Sequence, residues 1–173
     1  MLMNRAKIDP KKVVYTEADQ LNVLKAAQIA YEEGLAIPIL LGNREIILEL
    51  KTEIGFDADV MIIDPKTNEE ADRRQRYADF FWKSRERRGV TKLDAEKLMR
   101  DRSYFASMMV LQGEADAMLS GYSRSYSTAL KPVLDLIPRA NGVAKVASTN
   151  LMLTKRGPMF LADTAVNPNP TTE

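Results

Sequence analysis

The pattern of apolar positions predicts strands and helices in alternation. Val13 to Tyr15 is a short apolar run that reads as a strand, and Asp19 follows as a helix N-cap. Leu24, Ala27 and Tyr31 then recur at helical spacing until Gly34 stops them. Ile37 to Leu41 forms a second strand, Ile47, Leu50 and Ile54 a second helical face ending at Gly55, and Val60 to Ile63 a third strand closed by Asp64-Pro65. These strand runs are apolar throughout instead of alternating, which predicts burial on both faces and hence a parallel sheet.

A helical stretch occupies Glu69 to Arg88, with Tyr77, Phe81 and Trp82 on one side and Gly89 as its stop. Thr91 and Asp94 have the spacing of a capping box for a helix to Arg100, and Ser103 is expected to cap another reaching Gln112. A strand at Ala115 to Leu119, a polar loop from Ser120 to Ser125 and a helix through Leu130, Val133, Leu134 and Ile137 follow, up to Pro138. The rest predicts a strand at Val143 to Ala147, then a pair at Thr149 to Thr154 and Met159 to Ala165 joined by Lys155 to Pro158. The expectation is one domain over residues 1–173, with 1–12 a polar lead-in and 167–173 the first turn of a truncated helix, Asn169 at its N-cap and Pro170 at its first position.

Composition narrows the chemistry. Lys plus Arg number 25 against 24 Asp plus Glu, the profile of a globular domain with no bias towards nucleic acid. The chain has no Cys and no His, which excludes disulfides, thiolate nucleophiles, Cys-ligated zinc, Ser-His-Asp triads and HExxH sites. Catalysis would have to come from carboxylates, Lys, Ser/Thr or Tyr, or from charge stabilisation by cations and backbone N–H groups. No apolar leader and no long apolar run interrupts the sequence, so a cytoplasmic chain without membrane contact is expected.

Three segments are candidates for binding. Gly113 to Gly121 runs through a strand into a Ser-Gly turn ahead of a helix, where free amides and a helix start would favour an anion. Ser120, Ser123, Ser125, Ser127 and Thr128, with Arg124 and Lys131, would add donors and charge, although spacing alone favours the plainer reading, a serine-rich loop that simply caps the helix. Ala162 to Thr171 carries two Asn-Pro steps, which fix an extended backbone after a strand, and a lone Asp163 inside that strand would be costly without a role. Arg73 to Arg102 is rich in arginine, but interleaved acids favour a solvated helical surface.

The blocks GEADAMLSG (Gly113 to Gly121), FLADTAVNPNPT (Phe160 to Thr171) and LKAAQIAYEEGLAIPILL (Leu24 to Leu41) resemble the phosphate acetyltransferase family, and in particular its relative fused to the C-terminus of bacterial NAD(P)-dependent malic enzymes. The resemblance implies a three-layer α/β, Rossmann-like parallel-sheet lobe of the phosphotransacetylase type, with the second lobe largely missing. Ser120, Gly121, Ser125, Lys131, Asn167 and Asn169 would line a cleft for acyl phosphate and coenzyme A, and Arg85 would match an arginine implicated in coenzyme A binding. Two departures stand out: Lys131 replaces the arginine of the family's Leu-Arg-Pro, and Tyr126 resembles the malic-enzyme version.

The first expectation is therefore an acetyl-CoA-sensing, oligomerising module of a malic enzyme, itself without catalytic residues or cofactor. NAD(P) and a divalent metal would belong to a separate malic-enzyme domain. The rival is the first part of a true phosphate acetyl- or butyryltransferase. A third reading is a plain interaction module, a homodimer or larger, because the Met159 to Val166 strand would be poorly covered.

Overall fold

A computed structural model describes residues 2–167 and 169, and these divide into two compact units, one ending at Ile137 and one beginning at Pro138. The first unit is built on a parallel four-stranded sheet in the order β3-β2-β1-β4. Its strands are β1 (Lys11–Tyr15), β2 (Ala36–Leu41), β3 (Met61–Ile63) and β4 (Ala117–Leu119). Around them run α1 (Leu2–Ile8), α2 (Leu21–Glu32), α3 (Arg44–Ile54), α4 (Ala71–Arg85), α5 (Lys92–Leu98), α6 (Arg102–Leu111) and α7 (Tyr126–Leu136).

The strand pleat sends alternate side chains into two separate cores. Val14, Ile39, Leu41 and Ile63 pack with Tyr77, Phe81, Met99, Phe105 and Met108 of α4 to α6. Tyr15 and Leu40 pack on the other face with Leu24 and Ala27 of α2, Ile47 of α3 and Phe56. The result is the expected three-layer α/β arrangement, and each fully buried large apolar side chain contributes about 1.5–3 kcal/mol through removal from water. Pro38 is tolerated inside β2 because β3 pairs with β2 only from Ile39 onward, so one side of β2 is unpaired at that point.

Four expectations need correction. Residues 2–8 form α1, which lacks apolar periodicity but carries Arg5 and Lys7 in its last turn, where cations favour the helix dipole. Asp19 does not cap α2, whose N-cap is Gln20 without a side-chain bond, because Arg102 takes the Asp19 carboxylate. Ser103 does not cap α6. Asp101 does, accepting from the amides of Ser103 and Tyr104. Val143 to Ala147 lies in turns and irregular chain, with Val143 and Val146 exposed and, among the described residues, no strand paired to them. The Thr91–Asp94 capping box is present as read.

The second unit contains β5 (Thr149–Thr154) and β6 (Gly157–Ala162), an antiparallel hairpin pairing Leu151 with Phe160 and Met152 with Met159. Its apolar side chains are exposed, Leu153 at 74% and Phe160 at 68%. Most of the expected helix start at 167–173 lies outside the described residues. Among the described residues, no helix is long and apolar enough to cross a membrane.

Candidate functional site

The chain adds β2 and β3 on one side of β1 and then β4 on the other. The C-terminal ends of β1 and β4 are therefore the switch point of the sheet, where open α/β folds form a crevice. Thr16 bridges it, its amide and its hydroxyl both donating to the Leu119 carbonyl at 3.1 Å. Ser120 stands at the exit of β4, its Oγ 3.5 Å from that of Ser103.

One residue that sequence reasoning passed over dominates this crevice. Glu17 is 3% exposed, and its carboxylate accepts the amides of Gly121 at 3.1 Å, Tyr122 at 2.7 Å and Ser123 at 3.0 Å, together with the Ser123 hydroxyl. The amides after the Ser-Gly step are thus not free for an external anion, because an internal carboxylate already fills them. Burial pushes the Glu17 carboxyl up, but the Ser123 hydroxyl and the three amides outweigh it and hold the group below the usual glutamate value. The available hint was an acid two positions past the end of β1; its partners lie more than a hundred positions away.

The remaining loop residues are pinned as well. Arg124 donates to Asp101 at 2.6 Å. Ser125 caps α7 by accepting the Thr128 amide at 3.4 Å, and it lies 2.8 Å from the Thr128 hydroxyl and 3.3 Å from that of Ser127. Beside this start of α7 opens a cleft of about 380 Å³ lined by Leu98, Asp101, Tyr104, Arg124, Ser127, Thr128, Lys131 and Pro132. A second, largely apolar cleft of about 360 Å³ touches the same loop and is lined by Tyr15, Asn22, Val23, Ala26, Leu119 and Tyr122. The Asn22 amide closes one side of it on the Tyr122 hydroxyl at 2.7 Å.

Lys131 and Arg85 meet on α7. Lys131 pairs with Asp135 at 2.6 Å, and Asp135 also accepts from Tyr104 at 2.6 Å. Arg85 reaches the Leu134 carbonyl at 3.3 Å and the Asp135 carbonyl, so it satisfies two of the open carbonyls at the end of that helix. Burial pushes the Asp135 carboxyl up, while Lys131 and Tyr104 pull it further down, leaving it below the usual range.

In the second unit Asp163 organises a turn. Its carboxylate accepts from the Asn167 side chain, from the amides of Val166 at 3.0 Å and Asn167 at 3.3 Å, and from the Ser148 hydroxyl at 3.2 Å. These bonds, the Asn167 amide foremost, hold it down to about 2. Asn167 also donates to the Val146 carbonyl at 2.9 Å, so its amide hydrogens are spent on the turn. Asn169 is exposed.

Glu17, Asp135 and Asp163 are all held low, so each is a charged acceptor near neutrality and a poor proton donor. Among the described residues no cluster of acids suits a metal ion. What the cleft beside α7 offers is the hydroxyls of Ser127 and Thr128 and two cations, each already paired with a carboxylate, Arg124 with Asp101 and Lys131 with Asp135.

Comparison with known proteins adds the decisive observation: residues 1–173 match the description "Phosphate acetyl/butaryl transferase" along their whole length. The chain belongs to the phosphate acetyl/butyryl transferase family. It is 33% identical over 178 residues to a phosphate acetyltransferase of Thermoanaerobacterium thermosaccharolyticum, covering 99% of this chain and 53% of that protein. It is 31% identical over 176 residues to an NADP-dependent malic enzyme of Rhizobium meliloti, covering 99% of this chain and 23% of that protein. A crystal structure of a phosphotransacetylase from Streptococcus pyogenes superposes with a TM-score of 0.83 at 31% identity, over 98% of this chain and 51% of that one. The chain thus spans about a quarter to a half of the length of the relatives it matches.

Of the residues singled out by the resemblance, the first unit carries Arg85, Ser120, Gly121, Ser125 and Lys131, and the second carries Asn167 and Asn169. Ser120 and Gly121 flank the switch-point crevice, whereas Lys131 lines the cleft beside α7.

Proposed function

We propose that this chain supplies the first part of a phosphate acetyl- or butyryltransferase, with the cleft beside α7 as its hold on the anionic acyl carrier. The observation that carries this reading is the convergence of Arg124, Lys131, Ser127 and Thr128 on that cleft at the C-terminal side of a parallel sheet. In the reaction the coenzyme A thiolate attacks the acyl carbonyl, a C–S bond forms, the C–O bond to phosphate breaks, and phosphate leaves with the electron pair. Cations and hydroxyl donors stabilise the charge that develops, and no His or Cys is required. The test is thioester formation from acetyl phosphate or butyryl phosphate and coenzyme A, using the gene's complete product. Turnover that falls at least tenfold in Lys131→Ala supports the reading. No turnover with either acyl phosphate counts against it.

A second reading is an acetyl-CoA-binding regulatory and oligomerising module of a malic enzyme, whose own reaction is the oxidative decarboxylation of malate. It is favoured by Tyr126, by Lys131 where a bidentate arginine would suit phosphate better, and by the likeness to the malic enzymes. Acetyl-CoA binding without any acyl exchange is its expected signature.

A further inference from the structure

We propose that Glu17 is the positioning residue that shapes the Gly121–Ser123 turn and thereby aims Arg124 and the first turn of α7 at the cleft where the anionic carrier binds. The inference rests on the reading of that cleft as the carrier site, and its own evidence is geometric. A carboxylate that is 3% exposed takes four donors from three consecutive residues, and all four come from the one loop. Such a group would be costly to bury unless the loop satisfied it.

The clasp is anchored on both sides. Glu17 follows directly on Thr16, which is strapped to the Leu119 carbonyl at the end of β4, and its own carbonyl accepts the Gln20 amide at 3.0 Å. On the loop side, Ser123 is followed by Arg124, held by Asp101, and then by Ser125, which caps α7. Gly121 has φ +97, the left-handed region, so the turn needs a glycine to bring its amide round to the carboxylate. Releasing Glu17 removes the bonds that fix the loop ahead of Arg124, which keeps its own bond to Asp101. Its four donors are neutral amides and a hydroxyl, so Glu17 keeps its negative charge while it orders the loop.

The experiment combines amide hydrogen exchange with calorimetric titration of inorganic phosphate and coenzyme A, on the full chain and on Glu17→Gln and Ser123→Ala. Expected in Glu17→Gln is at least tenfold faster exchange at Gly121, Tyr122 and Ser123, unchanged exchange in β1 and α6, and at least fivefold weaker binding. Ser123→Ala, which keeps the buried carboxylate and removes one donor, is expected to move both readouts the same way by less, and formate added to Glu17→Ala to restore part of the binding. Unchanged exchange at the three amides overturns the clasp. Faster exchange with unchanged affinity overturns the positioning role. An unaltered chain that binds neither probe overturns the acyl-carrier reading and the positioning role with it, even if the exchange pattern stands.

Discussion

Arg102 grips Asp19 with both guanidinium nitrogens, Nη1 on Oδ1 at 2.7 Å and Nη2 on Oδ2 at 2.8 Å, and so ties the start of α6 to the loop after β1. The pair is partly buried, with side-chain exposures of 23% and 10%. Replacing Asp19 by Ala leaves a half-buried guanidinium without its bidentate partner, and about 2 kcal/mol of stability is expected to be lost in urea unfolding. Arg102→Lys should recover little, since a point charge cannot span both oxygens. Gly42→Ala is expected to weaken the same link, because an added Cβ would meet Asp19 Cγ at 3.2 Å and its backbone nitrogen at 3.3 Å.

That ion pair also explains what the sequence concealed. Apolar runs and glycine stops carried the sheet and most helices, because burial on both faces writes itself into consecutive residues such as Ile39, Leu40 and Leu41. Caps were legible only where the partner is local, as for Thr91 and Asp94. Asp19 looked like a cap, yet it answers to an arginine 83 positions away. Glu17 was invisible for the same reason, and with it the fact that the Ser-Gly amides are occupied. Val143 to Ala147 has strand-like composition, but pairing decides a strand and, among the described residues, no strand is paired to it.

Lys131 offers a direct test of how the cleft beside α7 holds phosphate. Lys131→Arg keeps the charge and adds the planar fork that matches phosphate. Affinity for inorganic phosphate is expected to rise roughly threefold or more by calorimetry. Equal or weaker binding would show that Lys131 does not face the ligand.

The acid side of the stability profile should report the clasps. Glu17 and Asp163 have depressed values in the fold, so each stabilises it above its ordinary value of 4.5 or 3.8, and that contribution is lost as pH falls through the depressed value, about 2 for Asp163. Urea midpoints should be insensitive to these two groups above pH 4.5 and should fall below it. Glu17→Gln and Asp163→Asn should each flatten the acid limb, and Asn tolerates the φ of +48 at position 163. An acid limb of unchanged steepness in both variants would contradict this assignment.

The hairpin of β5 and β6 exposes Leu151, Leu153 and Phe160 on one face and Met152, Met159 and Leu161 on the other. Apolar surface of this extent on both faces of a two-stranded ribbon favours association. Sedimentation of the chain is expected to give a dimer or larger species, and Phe160→Lys to shift it towards monomer. A monomer at every concentration tested would remove this expectation.

Binding at the cleft beside α7 is measured most directly by a nuclear magnetic resonance titration of the labelled chain with coenzyme A. Expected are saturable shifts concentrated at Arg124, Ser127, Thr128 and Lys131, with the amides of Gly121 to Ser123 still protected by Glu17. Shifts confined to other surfaces, or none at all, would contradict it.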